Sequence, residues 1–554
     1  MGEASGSQPR PGTAACGPFN RKHAASRERA RRFGVPRWRI ERATERRLAG
    51  DWRGACDAAG VRVSFDLAVV AAGYGAAVAE ALEDDLRHLA PDLLRWHVEQ
   101  DGHPYVLAAY GDAYLHLLPS GGAGLGFGRP AGRHAFVAPR HVWDVRRAGE
   151  LLDRHGGRGR APFFRADGTP VRGAGGGDGA GDDPVALAER ATLLHERGEV
   201  EAAFAAAGLD LRLHERFRDE QRAALALTPL ALHRIEPELR RLARAGAGHR
   251  FLIRHHLRPT LNSPVRMDTG VVILAVELPE DGGGPRVTYV RSAADVGARP
   301  GETLDLPDLF WQRSPDLDLV RAGRLTPEEL HPLVRAALFP ARPAVDGPAG
   351  PSDLEGPPVA RVRCRGEWHE VAFRNGRLHT WHDEDEWRRE KALRALGGAV
   401  TGCFAVREEW AGPGTLPRAL REQRRELFAR VDRGDTQGVL RLLDVGYDAH
   451  ARDGEHRSLL HWLHRLDHEE LLPWLLAAGL DIEARDRHGR TPLLTAVDER
   501  ARASTVRALL EAGARVDARG TGPLRPHTVL DAINLRRRAD LDFLRERLEA
   551  EGLS

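Results

Sequence analysis

The run His379-Thr380-Trp381-His382-Asp383-Glu384-Asp385-Glu386 concentrates side chains that could hold a divalent cation. Two imidazoles and a string of carboxylates are metal-type ligands. The spacing argues for something else. At a strand-to-helix junction an odd separation puts His379 and His382 on opposite faces. Acidic residues directly after His382 suit a helix N-terminus, where they complement the dipole. The run is therefore read as a capped helix start with Asp383 as N-cap, and no metal is assigned. His461 and His464 lie three apart and share a helix face; between a metal pair and a turn-bonding role for His461, the turn is preferred. The cysteines, Cys16, Cys56, Cys364 and Cys403, form no Cys-x-x-Cys pair, so neither a zinc ribbon nor a thioredoxin-type site is expected. Cys403, in Thr401-Gly402-Cys403-Phe404, is read as a buried strand thiol, since nothing nearby in sequence would lower its pKa. Only Lys22 and Lys391 could do lysine chemistry, and neither follows a glycine-rich turn. Walker-type and kinase-like placements are thus excluded, and the H-E-x-x-H and G-x-S-x-G patterns are missing. No catalytic residue and no cofactor is assigned. A triad scattered along the chain leaves no local trace, so an enzyme of unknown class in residues 36–340 stays as an alternative.

Composition sets the frame for these residues. With 554 residues the chain is too long for one core, because single cores stop growing at roughly 250–300 residues. It is 42% hydrophobic and 29% charged, with a net charge of +2, an ordinary balance with no global pull toward nucleic acid or membrane. The scarcity of Lys and Met beside abundant Ala, Arg and Gly reads as a high-GC coding bias, as in bacterial proteins. Met1 to Gly6 has no apolar stretch of a signal peptide, and no run approaches ~18 apolar residues. Few thiols in a long chain fit a reducing cytoplasm. Between Asn20 and Arg53 basic residues far outnumber acidic ones. This segment is an arm for nucleic acid in one reading and an arginine-biased tail running into an amphipathic helix in the other; sparse aromatics favour the second.

The elements follow from periodicity and turn chemistry. Residues 1–35 read as a disordered basic tail. Residues 36–170 form an α+β module: a helical hairpin broken at Gly50-Asp51, then strands Tyr105–Tyr110 and Ala113–Leu118 around Gly111-Asp112. Gly121 to Gly128 reads as a flexible hairpin loop. Residues 171–183 are a Gly/Asp linker. Residues 184–340 form a second α+β module, with a strand at Val271–Leu278 pairing with Val287–Val290 and a helix starting at Thr326-Pro327 and ending near Phe339. Gly50-Asp51 to Val63 matches Gly198-Glu199 to Leu211, which suggests a degenerate duplication. After a Pro/Gly linker at 341–358, residues 359–411 read as a small β-β-β-α-β module, with a hairpin at Asn375-Gly376 and a last strand at Val400–Val406.

The last quarter repeats. Ser458-Leu459-Leu460-His461-Trp462-Leu463 recurs as Thr491-Pro492-Leu493-Leu494-Thr495-Ala496, 33 residues on. Each copy leads into a leucine run closing on Ala-Gly, at Leu475–Gly479 and Leu509–Gly513. A fixed period of this length means stacked helix pairs that cannot bury their apolar faces alone. With Leu427 to Gly446 before them and Thr528 to Ala532 after, these residues resemble the ankyrin repeat. The family's Thr-Pro-Leu-His-x-Ala is carried by Thr491, Pro492, Leu493 and Ala496, with Leu494 in place of His. The earlier copy has Ser458, Leu459, Leu460 and His461, with Leu463 in place of Ala.

The fold class expected is therefore multidomain α+β, with N-terminal α+β modules and a C-terminal ankyrin-type α-solenoid over residues 420–554. The resemblance implies binding along loops and inner helices by shape and charge. It places Arg487, His488, Glu455 and His456 at loop tips. Trp462 falls either on the concave side or in the core. The function expected is an intracellular, cytoplasmic adaptor or scaffold that docks a protein partner; enzyme recruitment and nucleic-acid binding through the basic arm are the alternatives.

Overall fold

The computed structural model describes residues 21–553 apart from 99–103, 119–123, 130–135, 172–182, 257–270, 291–302, 344–358, 375–376, 398–400, 412–415 and 522–527. The chain divides into two compact units, Met1–Pro351 and Ser352–Ser554. The expected linkers at 171–183 and 341–358 fall largely outside the described residues.

In the first unit, strands β1 (Arg62–Val63), β2 (Tyr105–Tyr110), β3 (Ala113–Leu118), β4 (Gly124–Gly128) and β5 (Phe136–Val137) form a sheet in the order β1-β4-β3-β2-β5. Strands β6 (Asp210–Arg212), β7 (Arg250–His256), β8 (Val271–Glu277), β9 (Arg286–Val290) and β10 (Leu304–Leu306) form a second sheet in the order β10-β7-β8-β9-β6. These are one topology: an antiparallel three-strand meander with a parallel strand on each edge. The likeness extends to single bonds. Val61 N donates to Cys56 O at 2.8 Å and Leu209 N to Phe204 O at 3.0 Å; Ala90 N donates to Trp143 O at 2.7 Å and Ala231 N to Trp311 O at 2.8 Å. The weak repeat at Gly50 and Gly198 is thus the start of a likeness spanning both sheets. Apolar residues of both sheets and of helices that accompany them, among them Cys56, Leu115, Leu125, Phe204, Leu274 and Trp311, join one buried cluster.

Three expectations change here. Residues 21–34, read as tail, form a helix (Arg21–Gly34). Its Arg31 pairs with Asp316 at 2.8 Å and lies 4.7 Å over the Trp96 ring, while Arg32 reaches Glu28 and Glu329. The part of the tail before residue 21 lies outside the described residues. Gly124 to Gly128, read as loop, is strand β4; at Gly126 an added Cβ would lie 2.4 Å from His116 Nε2, so the glycines make room for the side chains of β3. The helix expected from Thr326 is a short 3-10 turn, Pro327–Glu329, under a Thr326/Glu329 capping box, followed by a separate helix Pro332–Leu338 that His331 caps through Leu333 N.

The second unit opens with β11 (Ala360–Cys364), β12 (Glu367–Arg374) and β13 (Arg377–His379), an antiparallel sheet in that order. Arg365 (φ 51°) and Gly366 (φ 94°) turn β11 into β12, the left-handed pair that a two-residue hairpin requires. Helix Glu384–Ala395 follows, capped by Asp383 through Glu386 N. The expected last strand at Val400–Val406 is instead the start of a helix, Gly402–Ala411. The apolar run looked like a buried strand, but Cys403, Val406 and Trp410 are buried at helical spacing, and Trp410 lies beyond the run. The small module is β-β-β-α-α.

Helix pairs make up the rest: Arg418–Asp432 with Thr436–Asp444; a 3-10 turn Leu459–Trp462 with His468–Ala477; Pro492–Asp498 with Ala503–Glu511; and Val529–Arg536 with Asp542–Ala550. Helix Pro492–Asp498 touches Leu459–Trp462 on one side and Val529–Arg536 on the other. One buried cluster runs from Val371 and Trp410 of the small module through Leu427, Leu459 and Leu493 to Leu548.

Candidate protein-binding surface

Three of the four helix pairs begin at a hydroxyl residue, Ser458, Thr491 or Thr528. Thr491 Oγ1 accepts from Leu494 N at 3.4 Å, and Thr528 Oγ1 from Asp531 N at 3.1 Å, satisfying amides that a helix start leaves open. In the earlier copy His461 does the same work from the other side. Its Nδ1 takes Ser458 N at 3.2 Å, and its Nε2 donates to Arg490 O of the next repeat at 3.0 Å. Burial holds this imidazole down to about 4, so it stays neutral and keeps one donor and one acceptor. The turn-bonding role is what the structure shows.

Between the helix pairs, two loops of one design project. Asp453 holds the backbone amides of Glu455 and Arg457 at 2.8 and 2.9 Å, and Asp486 those of His488 and Arg490 at 2.8 and 2.9 Å. Each aspartate also takes the arginine that ends its loop, Arg457 at 2.7 Å and Arg490 at 2.9 Å. Burial pushes the Asp486 carboxyl up, but the backbone bonds and Arg490 outweigh it and hold the group below the usual carboxylate range. The tips are then tied to one another: Arg487 N donates to Glu455 O at 2.9 Å, and Thr521 N to His488 O at 2.7 Å.

Three of the five residues singled out in the sequence meet on this ladder. Arg487 Nε lies 2.5 Å and His488 Nε2 3.4 Å from Glu455 Oε2. Arg487 is exposed; the other two are half-exposed. His456 sits in the same loop with φ 59°, and its carbonyl accepts from Arg452 at 2.8 Å. Trp462 is not at the tip. It is 8% exposed, its Nε1 donates to Asp453 Oδ2 at 3.2 Å, Arg457 lies 4.0 Å over its ring, and His464 stacks on it at 5.6 Å. The indole shapes the loop from behind and offers little surface.

Sequence reasoning passed over two tryptophans. Trp368 on β12 is 66% exposed, and Trp381, just after β13, is 76% exposed. Alternation along β12 was the available signal: His369, Val371 and Phe373 face inward, which turns Trp368 out. In the first unit, a cleft lined by Arg154, His233, Arg234, Glu238 and Arg241 carries paired charges, with Arg154 and Arg241 each 2.8 Å from Glu238. Burial holds His233 down to about 3, too weak a base to take a proton near pH 7.

A family model of ankyrin repeats, three copies, matches residues 427–520. No curated protein matches the chain. The match covers the loop ladder and the helices around it from within helix Arg418–Asp432 onward, and it begins after the small module and the first unit. No helix among the described residues is long and apolar enough to cross a membrane. Residues 427–520 are ankyrin repeats, and the chain is an ankyrin-repeat domain-containing protein.

Proposed function

We propose that the chain is an adaptor whose C-terminal repeats form a solenoid and dock a protein partner through the loop tips. The observation that carries this reading is the ladder of Glu455, Arg487 and His488, a charged surface held by Asp453 and Asp486 and by backbone bonds between successive loops. A surface fixed before binding loses less conformational freedom on association. Its exposed guanidinium suits a partner that presents carboxylates. The partner binds by surface contact, without a reaction, in the cytoplasm. Trp368 and Trp381 extend the reading, since tryptophans are enriched among residues that dominate binding energy.

The test uses the full chain as bait, wild type against an Arg487→Ala/His488→Ala variant. The expected result is a protein recovered by the wild type whose recovery falls about tenfold with the variant, the loss of one strong contact. Equal recovery of the same proteins by both would contradict the assignment of the tips.

A further inference from the structure

In the small module, four ligand-type side chains from four separate elements meet. Cys364 ends β11, His369 lies on β12, His382 precedes helix Glu384–Ala395, and Cys403 is the second residue of helix Gly402–Ala411. Their Sγ and ring nitrogen atoms all lie within 4.8 Å of one another. Cys364 Sγ is 3.4 Å from His382 Nε2, His382 Nε2 is 3.2 Å from His369 Nδ1, and His369 Nδ1 is 3.6 Å from Cys403 Sγ. Zn–S bonds of ≈ 2.3 Å and Zn–N bonds of ≈ 2.0–2.1 Å in a tetrahedron give ligand–ligand edges of about 3.3–3.8 Å. The three separations lie within about 0.2 Å of those edges. We propose that Cys364, His369, His382 and Cys403 bind one zinc ion as a closed structural site.

Three further features fit a metal. His382 Nδ1 lies 3.2 Å from Glu386 Oε2, so it donates its proton there and turns the bare Nε2 toward the cluster, the outer-shell arrangement of zinc histidines. Two thiolates, two neutral imidazoles and Zn²⁺ sum to zero charge, which suits a site with both cysteines buried and the Phe404 ring 4.4 Å from that of His382. Gly402 is shaped for the approach: its φ is +64°, and an added Cβ would lie 2.6 Å from Cys364 Sγ and 2.9 Å from Cys364 Cα. The site also answers a structural need. Helix Glu384–Ala395 buries none of its residues fully, so apolar packing alone holds it weakly, and a cation on His382 would tie its start to both strands and to the following helix. Binding converts two Cys S–H groups to zinc-bound thiolates and releases two protons to solvent.

The test takes the full chain, made without a metal-binding tag. Metal analysis of the purified protein should find one zinc per chain. After the metal is stripped, Co²⁺ should give a thiolate charge-transfer band with the visible bands of tetrahedral cobalt, and Zn²⁺ should abolish both. Zinc should also protect Cys364 and Cys403, and not Cys56, from alkylation mapped by mass spectrometry. Cys364→Ser and Cys403→Ser should lose the cobalt spectrum and Cys56→Ser should keep it, while Glu386→Gln should weaken zinc by roughly 10–100-fold. The alkylation pattern is read on the wild-type chain, so the proposal stays testable where a variant fails to fold. A wild-type chain that takes up neither zinc nor cobalt, a Cys364–Cys403 disulfide, or an alkylation pattern that zinc leaves unchanged would overturn it.

Discussion

At the scale of residues, His461 joins two repeats. It is fully buried, accepts from Ser458 and donates to Arg490 O. His461→Ala leaves a buried amide and a buried carbonyl without partners, so it should cost about 2–4 kcal/mol in denaturant unfolding. A loss below ~1 kcal/mol would show that the bonds across the repeats contribute little. The Thr-Pro-Leu-His pattern made this role legible, because the pattern itself fixes a helix start. The four residues proposed for zinc were not legible. His379 and His382 drew attention as neighbours in sequence, whereas His382 meets Cys364, His369 and Cys403 only when four elements close on one another. Trp462 likewise gave no sign of facing inward, since both homes put an aromatic at the same repeat position.

At the scale of elements, one helix-start device serves both units. Gly50-Asp51-Trp52-Arg53-Gly54 and Gly434-Asp435-Thr436-Gln437-Gly438 share their glycines and aspartate. Gly50 and Gly434 have φ of 78° and 68°. Asp51 accepts from Gly54 N at 2.8 Å, and Asp435 from Gly438 N at 2.9 Å. A Cβ at Gly54 or Gly438 would lie 2.1 or 2.0 Å from the capping carboxylate. Glycine to alanine within a helix ordinarily stabilises by up to about 1 kcal/mol. Here Gly54→Ala and Gly438→Ala should instead destabilise by about 1–2 kcal/mol, because the cap must move away. A rise in stability would remove the argument. The first hairpin was visible in the sequence through Gly50-Asp51, as were β2, β3 and β8 through their turns and apolar runs. The helix Gly402–Ala411 was hidden because its buried face extends past the apolar run to Trp410, which bonds Asp448 at 2.6 Å.

At the scale of the whole molecule, burial keeps several histidines neutral. It holds His97, His141 and His155 well below the ordinary value, His233 at about 3, and His195, His461 and His464 at about 4. The unfolded chain protonates these groups near pH 6.5 while the folded chain does not. Their contribution is therefore complete above about pH 6.5 and is lost as pH falls toward 4, by about 1.4 kcal/mol per pH unit for each group. Both units carry such groups, so the melting temperatures of both should drop together between pH 7 and 5. A flat profile across that range would contradict the neutral state assigned to these side chains. The likeness of the two sheets belongs to this scale as well. About twenty residues carried it in the sequence, since a shared topology needs only matching burial patterns and leaves most side chains free to differ.

The central claim is that a partner is met at the loop tips of the repeats. A photo-crosslinking amino acid placed at position 487 of the full chain, with a control at the exposed Val69 of the first unit, tests it most directly. The expected result is a protein crosslinked from 487 and none from 69. A partner crosslinked from 69 with none from 487 would contradict the account.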